Sequence, residues 1–143
     1  MTALELRDYI HADVWHEYYK FCVERNRWDK TLSHYHMLDY RAGVNMSLEE
    51  YFAAGKYCLN YPQYTDDLNQ PIVDNILKYE QLSEDLSLVF SLLGVPFTGN
   101  LGALAKSEYR TDKRPYREVL SDNQAEVISS VFSKEIALHG YTY

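Results

Sequence analysis

Only two short segments of this chain have the composition of β-strands, and a helical pattern follows each of them. Residues 18–23 are aromatic and β-prone, and residues 72–79 are rich in β-branched side chains. After each segment comes a polar turn and then apolar residues at helical spacing. This repeated order predicts an α/β chain with parallel pairing, because parallel strands need a crossover connection. The sheet must be small, and the helices dominate.

Helix caps and stop residues place the helices. Four of the five predicted starts carry a capping box or a capping serine, and all predicted ends except the first lie at glycine or proline. The predicted helices run from near residue 3 to residue 13, from 28 to about 41 before Gly43, from Ser47 until Pro62, from Ser83 to Gly94, and from Ser121 to His139 and Gly140. Residues 60–71 and 96–115 are predicted loops.

Length and composition indicate one globular domain, residues 1–143. With 46% hydrophobic and 24% charged residues, the chain has no apolar run near the roughly 18 residues of a membrane helix. The first residues carry no secretory signal pattern, so we expect a soluble, cytoplasmic protein without a membrane partner. Cys22 and Cys58 lack disulfide or zinc-ligand spacing and are predicted to be buried thiols, and no metal is expected.

The positive charge of this acidic chain lies mainly in two places. A net charge of −7 argues against a general nucleic-acid binder. Four of the 14 lysines and arginines nevertheless fall in residues 20 to 30, and five fall in residues 106 to 117. If the fold joins these stretches, they form a local site for a small polyanion. The alternative is two solvated basic loops that never meet.

Arg25 and Ser33 are the candidate binding residues in the first basic stretch. Arg25 follows the first predicted strand, and its planar guanidinium suits a bidentate phosphate contact. Ser33 adds a hydroxyl donor about two turns along the next helix. The same residue types also serve as ordinary caps and ion pairs, and spacing alone favours that structural interpretation.

The segment Lys20–His36, KFCVERNRWDKTLSHYH, resembles the pattern KFxFVRNPWDRLVSxYH of sulfotransferases of the carbohydrate and related bacterial kind. The resemblance implies that Arg25 and Ser33 bind the 3'-phosphate of 3'-phosphoadenosine 5'-phosphosulfate, the sulfuryl donor and co-substrate. It also implies the helix-dominated C-terminal portion of a P-loop-NTPase-like domain with a small parallel sheet. This chain has Arg27 in place of the family proline and Lys30 in place of the family arginine.

Further segments extend the resemblance along most of the chain. Five family patterns, RYEDLxxDF, LGI, NKS, YREYY and DIELFGY, have similar segments in this chain. In the same order, these segments are residues 75–86, 93–95, 106–107, 114–118 and 132–141. The resemblance implies that Tyr79, Lys113 and Arg114 help to hold the nucleotide. Ala105 stands where the family has asparagine, so any contact from that side chain is lost.

The family's PKxGGTS-like loop, which cradles the 5'-phosphosulfate, has no counterpart in the sequence. We therefore expect a truncated reading frame or one piece of a split protein. The family's catalytic base also tends to lie upstream, and none of the five histidines is nominated in its place. The catalytic residues are thus unknown from the sequence, and whether the chain is an enzyme is left open.

Three hypotheses follow. The first is a sulfotransferase segment that binds the 3'-phosphoadenosine part of the donor for sulfuryl transfer to a hydroxyl or amine acceptor, such as a carbohydrate. The second is a catalytically silent remnant that binds a nucleotide or a protein. The third is an unrelated helical interaction protein. Self-association, or association with a missing N-terminal segment, is also expected, because a sheet without its first strand leaves an open edge.

Overall fold

The fold of this computed structural model is helix-rich α/β with a small parallel sheet, as the sequence predicts. The structure describes residues 1–43, 45–102, 109–110 and 112–143. Its elements in chain order are α1 (Ala3–Tyr9), α2 (Ala12–Glu17), β1 (Phe21–Glu24), α3 (Arg27–Ala42), α4 (Leu48–Ala54), α5 (Tyr61–Tyr64), β2 (Asn75–Lys78), α6 (Leu82–Leu92), α7 (Tyr116–Val119), α8 (Asp122–Val131) and α9 (Ser133–His139). A 3-10 turn, Tyr79–Gln81, joins β2 to α6.

Strands β1 and β2 pair in parallel, from Phe21 opposite Asn75 to Glu24 opposite Lys78. Both strands are shorter than predicted. At the start, the Asp74 side chain accepts a hydrogen bond from the Lys20 amide at 2.7 Å and pairs with the Lys20 ammonium at 2.8 Å. This side-chain contact replaces ladder pairing at the position before β1, so regular pairing begins at Phe21.

The described residues pack into two units with separate cores. Unit 1 consists of Met1–Arg25 and Leu59–Gly102, and unit 2 of Asn26–Cys58 and Ala103–Tyr143. Leu77, Leu86 and Val89 form a buried cluster in unit 1, where Trp15 and Tyr64 are buried too. The main buried cluster of unit 2 consists of Trp28, Leu32, Leu120, Ala125, Ile128 and Phe132. The single domain expected from chain length stays a prediction.

Unit 2 is built on α3 and α8. Trp28 and Leu32 are four residues apart and therefore lie on one face of α3. Ile128 of α8 and Phe132, the residue that follows α8, belong to the same buried cluster. The indole Nε1 of Trp28 donates to the Ala125 carbonyl at 3.1 Å, so the buried ring keeps a partner for its polar atom. These contacts fix the first two turns of α3, the helix that carries Ser33.

The predicted caps are largely confirmed. Thr2, Ser47 and Ser121 each form a complete capping box. Gly43 and Gly140 end α3 and α9 in the left-handed conformation, at φ of 63° and 65°. The Ser83 cap is wrong: α6 begins at Leu82, Ser83 lies inside its first turn, and Gln81 provides no side-chain cap.

Three helix boundaries differ from the prediction. The first predicted helix ends at Tyr9 and is followed by the separate helix α2. Helix α4 ends at Ala54, well before Pro62, because Gly55 adopts a left-handed φ of 62°. The short helix α5 lies in the predicted loop 60–71, with proline in its first turn.

The last predicted helix is two helices, α8 and α9. Phe132 separates them with φ of −100° and ψ of 21°, which is outside the regular helical range, while its side chain remains 1% exposed in the core. Burial of this ring thus accompanies a helix break that periodicity did not reveal. Cys58 is also exposed rather than buried, whereas Cys22 is half-buried.

Within the described ranges, none of the helices is both long and apolar enough to cross a bilayer.

Candidate functional site

Arg25 and Tyr79 meet at the carboxyl ends of the two strands in unit 1. Each is the first residue after its strand, and Glu24 and Lys78 are the last paired residues. The Arg25 guanidinium carbon lies 4.7 Å from the centroid of the Tyr79 ring. The carboxyl edge of a parallel sheet is where ligands of open α/β folds usually bind. Parallel pairing therefore brings together two of the five predicted binding residues.

Contacts around the two residues hold the ends of both strands. The Asp85 carboxylate of α6 accepts from the Lys78 amide at 2.8 Å and from the Gln81 side-chain amide at 2.9 Å. On the other strand, the side-chain amide of Asn60 donates to the buried carboxylate of Glu24 at 3.4 Å. The backbone beside Arg25 and Tyr79 is thus anchored by side chains from α6 and from the segment before α5.

Ser33, the third predicted residue, lies on α3 in unit 2. Helical spacing places it on the same face as Asp29 and His36, four residues before and three residues after it. The Arg110 guanidinium forms an ion pair with Asp29 and is only 14% exposed. Burial lowers the pKa of His36, and the positive charge of Arg110 lowers it further. Arg110 of the second basic stretch therefore packs on the α3 face that carries Ser33.

Arg114 and Lys113 are both exposed, and Arg114 pairs with a carboxylate. Its guanidinium lies 2.7 Å from Asp112, and hydrogen bonds from the Arg114 side chain and backbone lower the pKa of Asp112 to about 2. Arg110 donates to the carbonyls of Asp112 and Arg114 at 2.8 and 2.6 Å. Carboxylates thus offset part of the positive charge, and Arg110 orders the segment.

The five predicted residues fall into two groups. Arg25 and Tyr79 belong to unit 1, whereas Ser33, Lys113 and Arg114 belong to unit 2. One contact between the two stretches lies within unit 2, where Arg110 of the second stretch pairs with Asp29 of the first. The predicted features at Ala105, Lys106 and Ser107 lie outside the described residues.

A protein of Archaeoglobus fulgidus, named only "Uncharacterized protein", is 36% identical to this chain over 101 residues. The match covers 67% of this chain and 84% of the archaeal protein. This chain belongs to the same family. No protein-family model matches the chain, and the search of solved structures gives no significant match. Because the name of the relative assigns no activity, donor binding by this family stays a prediction.

Arg27, Asn26 and Arg110 have structural roles in this family member that sequence reasoning did not assign. Arg27 is fully buried, with its guanidinium carbon 6.0 Å from the Tyr141 ring centroid. Asn26 caps α3 by accepting from the amides of Trp28 and Asp29 at 3.1 and 3.2 Å. Asparagine before a helical pattern signals such a cap. No pattern in the sequence distinguished buried Arg27 from the half-buried cations Arg25 and Lys30 of the same stretch.

The histidine beside the predicted phosphate residue has a packing role. His34 Nδ1 lies 2.9 Å from the Tyr51 hydroxyl, and burial together with nearby Lys30 lowers the pKa of the histidine. Burial also raises the pKa of Tyr51, so the phenol stays protonated near neutral pH. Among the described residues, no three His, Cys, Asp or Glu side chains form a group suited to a metal ion. The chemistry that the candidate residues offer is anion binding.

Proposed function

We propose that this chain binds 3'-phosphoadenosine 5'-phosphosulfate through its 3'-phosphate, as part of a P-loop-NTPase-like sulfotransferase domain. One observation carries the proposal: Arg25 and Tyr79 follow paired parallel strands, and the guanidinium lies over the ring at 4.7 Å. The resemblance of residues 20–36 to the sulfotransferase pattern selects Arg25 independently of that geometry.

In the proposed complex, the guanidinium of Arg25 donates two hydrogen bonds to the 3'-phosphate. A planar fork suits a tetrahedral anion, and hydrogen bonds to charged groups contribute about 1.5–3 kcal/mol. The Tyr79 ring restricts the guanidinium to one region, which reduces the conformational entropy lost on binding. At 48% exposure, the ring also retains surface for contact with the nucleotide.

Ser33, Lys113 and Arg114 are proposed as additional donor-binding residues. A serine hydroxyl can donate to a phosphate oxygen, and the two cations add attraction for a polyanion. Arg114 is held by Asp112, so its guanidinium contributes less than an uncompensated charge.

The proposed reaction is in-line transfer of the sulfuryl group to a hydroxyl or amine acceptor. The role proposed for this chain is to position the donor, since positioning reduces the entropy cost of bringing two reactants together. These residues would bind the nucleotide part of the donor. The sulfuryl group that is transferred lies at the other end of the donor. No residue is assigned to the proton transfer.

Calorimetric titration with adenosine 3',5'-bisphosphate tests the proposal. We expect saturable binding by the wild type and a loss of about 10- to 150-fold in Arg25→Ala, which corresponds to about 1.5–3 kcal/mol. Ser33→Ala should lose about tenfold or less. Tyr79→Phe should bind nearly normally, because it keeps the ring, whereas Tyr79→Ala should bind more weakly.

Arg41→Ala is the matched control, because Arg41 is an exposed arginine in the last turn of α3. It removes the same charge and should leave the affinity unchanged. Absence of saturable binding in the wild type, or an equal loss in the Arg25 and Arg41 variants, would contradict the proposal. Nucleotide binding that depends on Arg25, together with no sulfuryl transfer in an assay with the sulfated donor, would instead favour the catalytically silent nucleotide-binding domain.

A further inference from the structure

Asp85 lies in the first turn of α6, but its carboxylate contacts residues that precede the helix. One oxygen accepts from the backbone amide of Lys78 at 2.8 Å, and the other accepts from the side-chain amide of Gln81 at 2.9 Å. Acidic residues at this position of a helix usually act on the dipole of the helix itself. Asp85 instead holds the chain that enters α6, at the point where β2 ends.

The backbone around Tyr79 is therefore held on both sides. Lys78, whose amide donates to Asp85, is the last residue of β2, and Tyr79 follows it. The carbonyl of Tyr79 accepts from the amide of Leu82, which closes the 3-10 turn. A charged acceptor makes a stronger hydrogen bond than a neutral one. The contact with Asp85 thus restricts the direction in which the Tyr79 side chain leaves the backbone.

The direction of the Tyr79 ring matters because the Arg25 guanidinium lies over it, with 4.7 Å between the guanidinium carbon and the ring centroid. Arg25 follows β1, and the last residues of the two strands, Glu24 and Lys78, lie opposite each other. A cation over an aromatic face is attracted to that face. A rotation of the ring therefore moves the surface on which the guanidinium lies.

We propose that Asp85 is a positioning residue for binding of the 3'-phosphate, an inference that rests on the proposed function. Asp85 acts through Lys78 and Tyr79 on the Arg25 guanidinium and does not touch the nucleotide. Without the carboxylate, the ring and the guanidinium move more freely, and the phosphate must order them at a cost in conformational entropy. Selectivity for a nucleotide with a 3'-phosphate should therefore fall.

Three variants separate the two hydrogen bonds of Asp85 from its negative charge. Asp85→Ala removes both bonds. Asp85→Asn is the conservative variant, because it keeps an oxygen for the Lys78 amide, and its own amide can donate to the side-chain oxygen of Gln81 after that side chain flips. Glu84→Ala is the matched control, because it removes the same charge from an exposed position in the same helical turn.

NMR of the ligand-free protein measures the position of the guanidinium, because the ring current of Tyr79 shifts the side-chain protons of Arg25. We expect Asp85→Ala to move these resonances toward their values in Tyr79→Ala. Asp85→Asn and Glu84→Ala should keep them near the wild-type values. Unchanged resonances in Asp85→Ala, or an equal change in Glu84→Ala, would overturn the proposal. If Asp85→Ala does not fold, Gln81→Ala removes one of the two bonds and should move the same resonances by less, and no movement would overturn the proposal.

Calorimetry measures the consequence for binding. We expect Asp85→Ala to lower the ratio of affinities for adenosine 3',5'-bisphosphate and adenosine 5'-monophosphate by about two- to fivefold, whereas Asp85→Asn and Glu84→Ala keep the wild-type ratio. In the Arg25→Ala background, Asp85→Ala should not lower the ratio further, because both substitutions act on one contact. A general loss of stability would weaken binding of both nucleotides alike. Absence of binding by the wild type would overturn the proposed function and this role with it, whereas an unchanged ratio in Asp85→Ala would overturn only the role of Asp85.

Discussion

The two units differ in how their cores are built. Unit 2 buries Trp28 and Phe132 with aliphatic neighbours, and its indole hydrogen bond is satisfied within the core. In unit 1 the buried cluster is aliphatic, Leu77, Leu86 and Val89, with aromatic rings packed at its margin, and Trp15 and Tyr64 are buried outside it. Unit 1 also carries the carboxyl ends of the two strands, and its described residues form a sheet of only two strands. A large aromatic ring thus lies at the centre of the main cluster in unit 2, whereas in unit 1 the aromatic rings surround a smaller aliphatic cluster beside the sheet.

The largest effect is expected for Trp28→Ala in unit 2. Replacing a buried aromatic ring by alanine costs about 3–5 kcal/mol of unfolding free energy, because the cavity collapses only partly. Urea unfolding followed by circular dichroism measures the change. Trp28→Phe is the control that retains most of the ring but loses the bond to Ala125, and it should lose less. Equal losses in the two variants would show that ring packing is not the main contribution.

In unit 1, Leu77→Ala should lower the unfolding free energy by about 2–4 kcal/mol. Leu77 is 1% exposed, so its removal leaves a cavity beside Leu86 and Val89. Leu88→Ala is the matched control, because Leu88 is 72% exposed and should lose little. A similar loss in both variants would contradict the assignment of this core.

The two tryptophans allow each unit to be observed separately. Trp15 belongs to unit 1 and Trp28 to unit 2, and both are buried. Replacing one by phenylalanine leaves the fluorescence of the other to report on its own unit. If the chain is one domain, the two urea transitions should coincide after allowance for the stability of each variant. Well-separated midpoints would show that the units unfold independently.

Capping substitutions should cost less and should differ between the units. Ser121→Ala removes the capping box of α8, which buries Ala125 and Ile128, and we expect a loss of about 1 kcal/mol. Thr2→Ala removes the corresponding box of α1, which has no buried residue. Fraying there should change global stability less. Comparable losses by urea unfolding would indicate that α1 is more tightly coupled to the core than its burial suggests.

The smallest effect concerns Asp112. Its pKa is lowered from 3.8 to about 2, so the pairing stabilises the fold above pH 3.8 and is lost as the pH falls through 2. Arg114→Ala should return the pKa of Asp112 toward its ordinary value, as measured by carboxyl-carbon NMR titration. Lys113→Ala is the control and should change it little. An unchanged pKa in Arg114→Ala would contradict the ion pair.

Helix caps and helix ends predicted much of the fold, because residues close together in the sequence specify them. The Thr2, Ser47 and Ser121 caps and the glycine ends of α3 and α9 are examples. Parallel pairing followed from the order of strand and helix. The break at Phe132 and the end of α4 at Gly55 were not predicted, because apolar periodicity continues through or beyond both positions.

The site was predicted less completely, because its contacts join distant parts of the chain. Nothing in the sequence showed that Arg25 lies against Tyr79, and parallel pairing of β1 with β2 brings the two together. Arg27 and Arg110 belonged to the same basic stretches as the candidates, yet one is buried and the other holds Asp29. Charge clustering predicted an anion site, but only three-dimensional contacts separate binding candidates from structural cations.

The most direct test of the central claim removes the two partners of the proposed contact one at a time. Mutation removes the Arg25 guanidinium, and a change of nucleotide removes the 3'-phosphate. Affinities for adenosine 3',5'-bisphosphate and adenosine 5'-monophosphate are measured by calorimetry with the wild type and with Arg25→Ala. We predict that the wild type favours the bisphosphate by about 10-fold or more, and that Arg25→Ala binds the two nucleotides nearly alike. An undiminished preference for the bisphosphate in Arg25→Ala would show that Arg25 does not contact the 3'-phosphate.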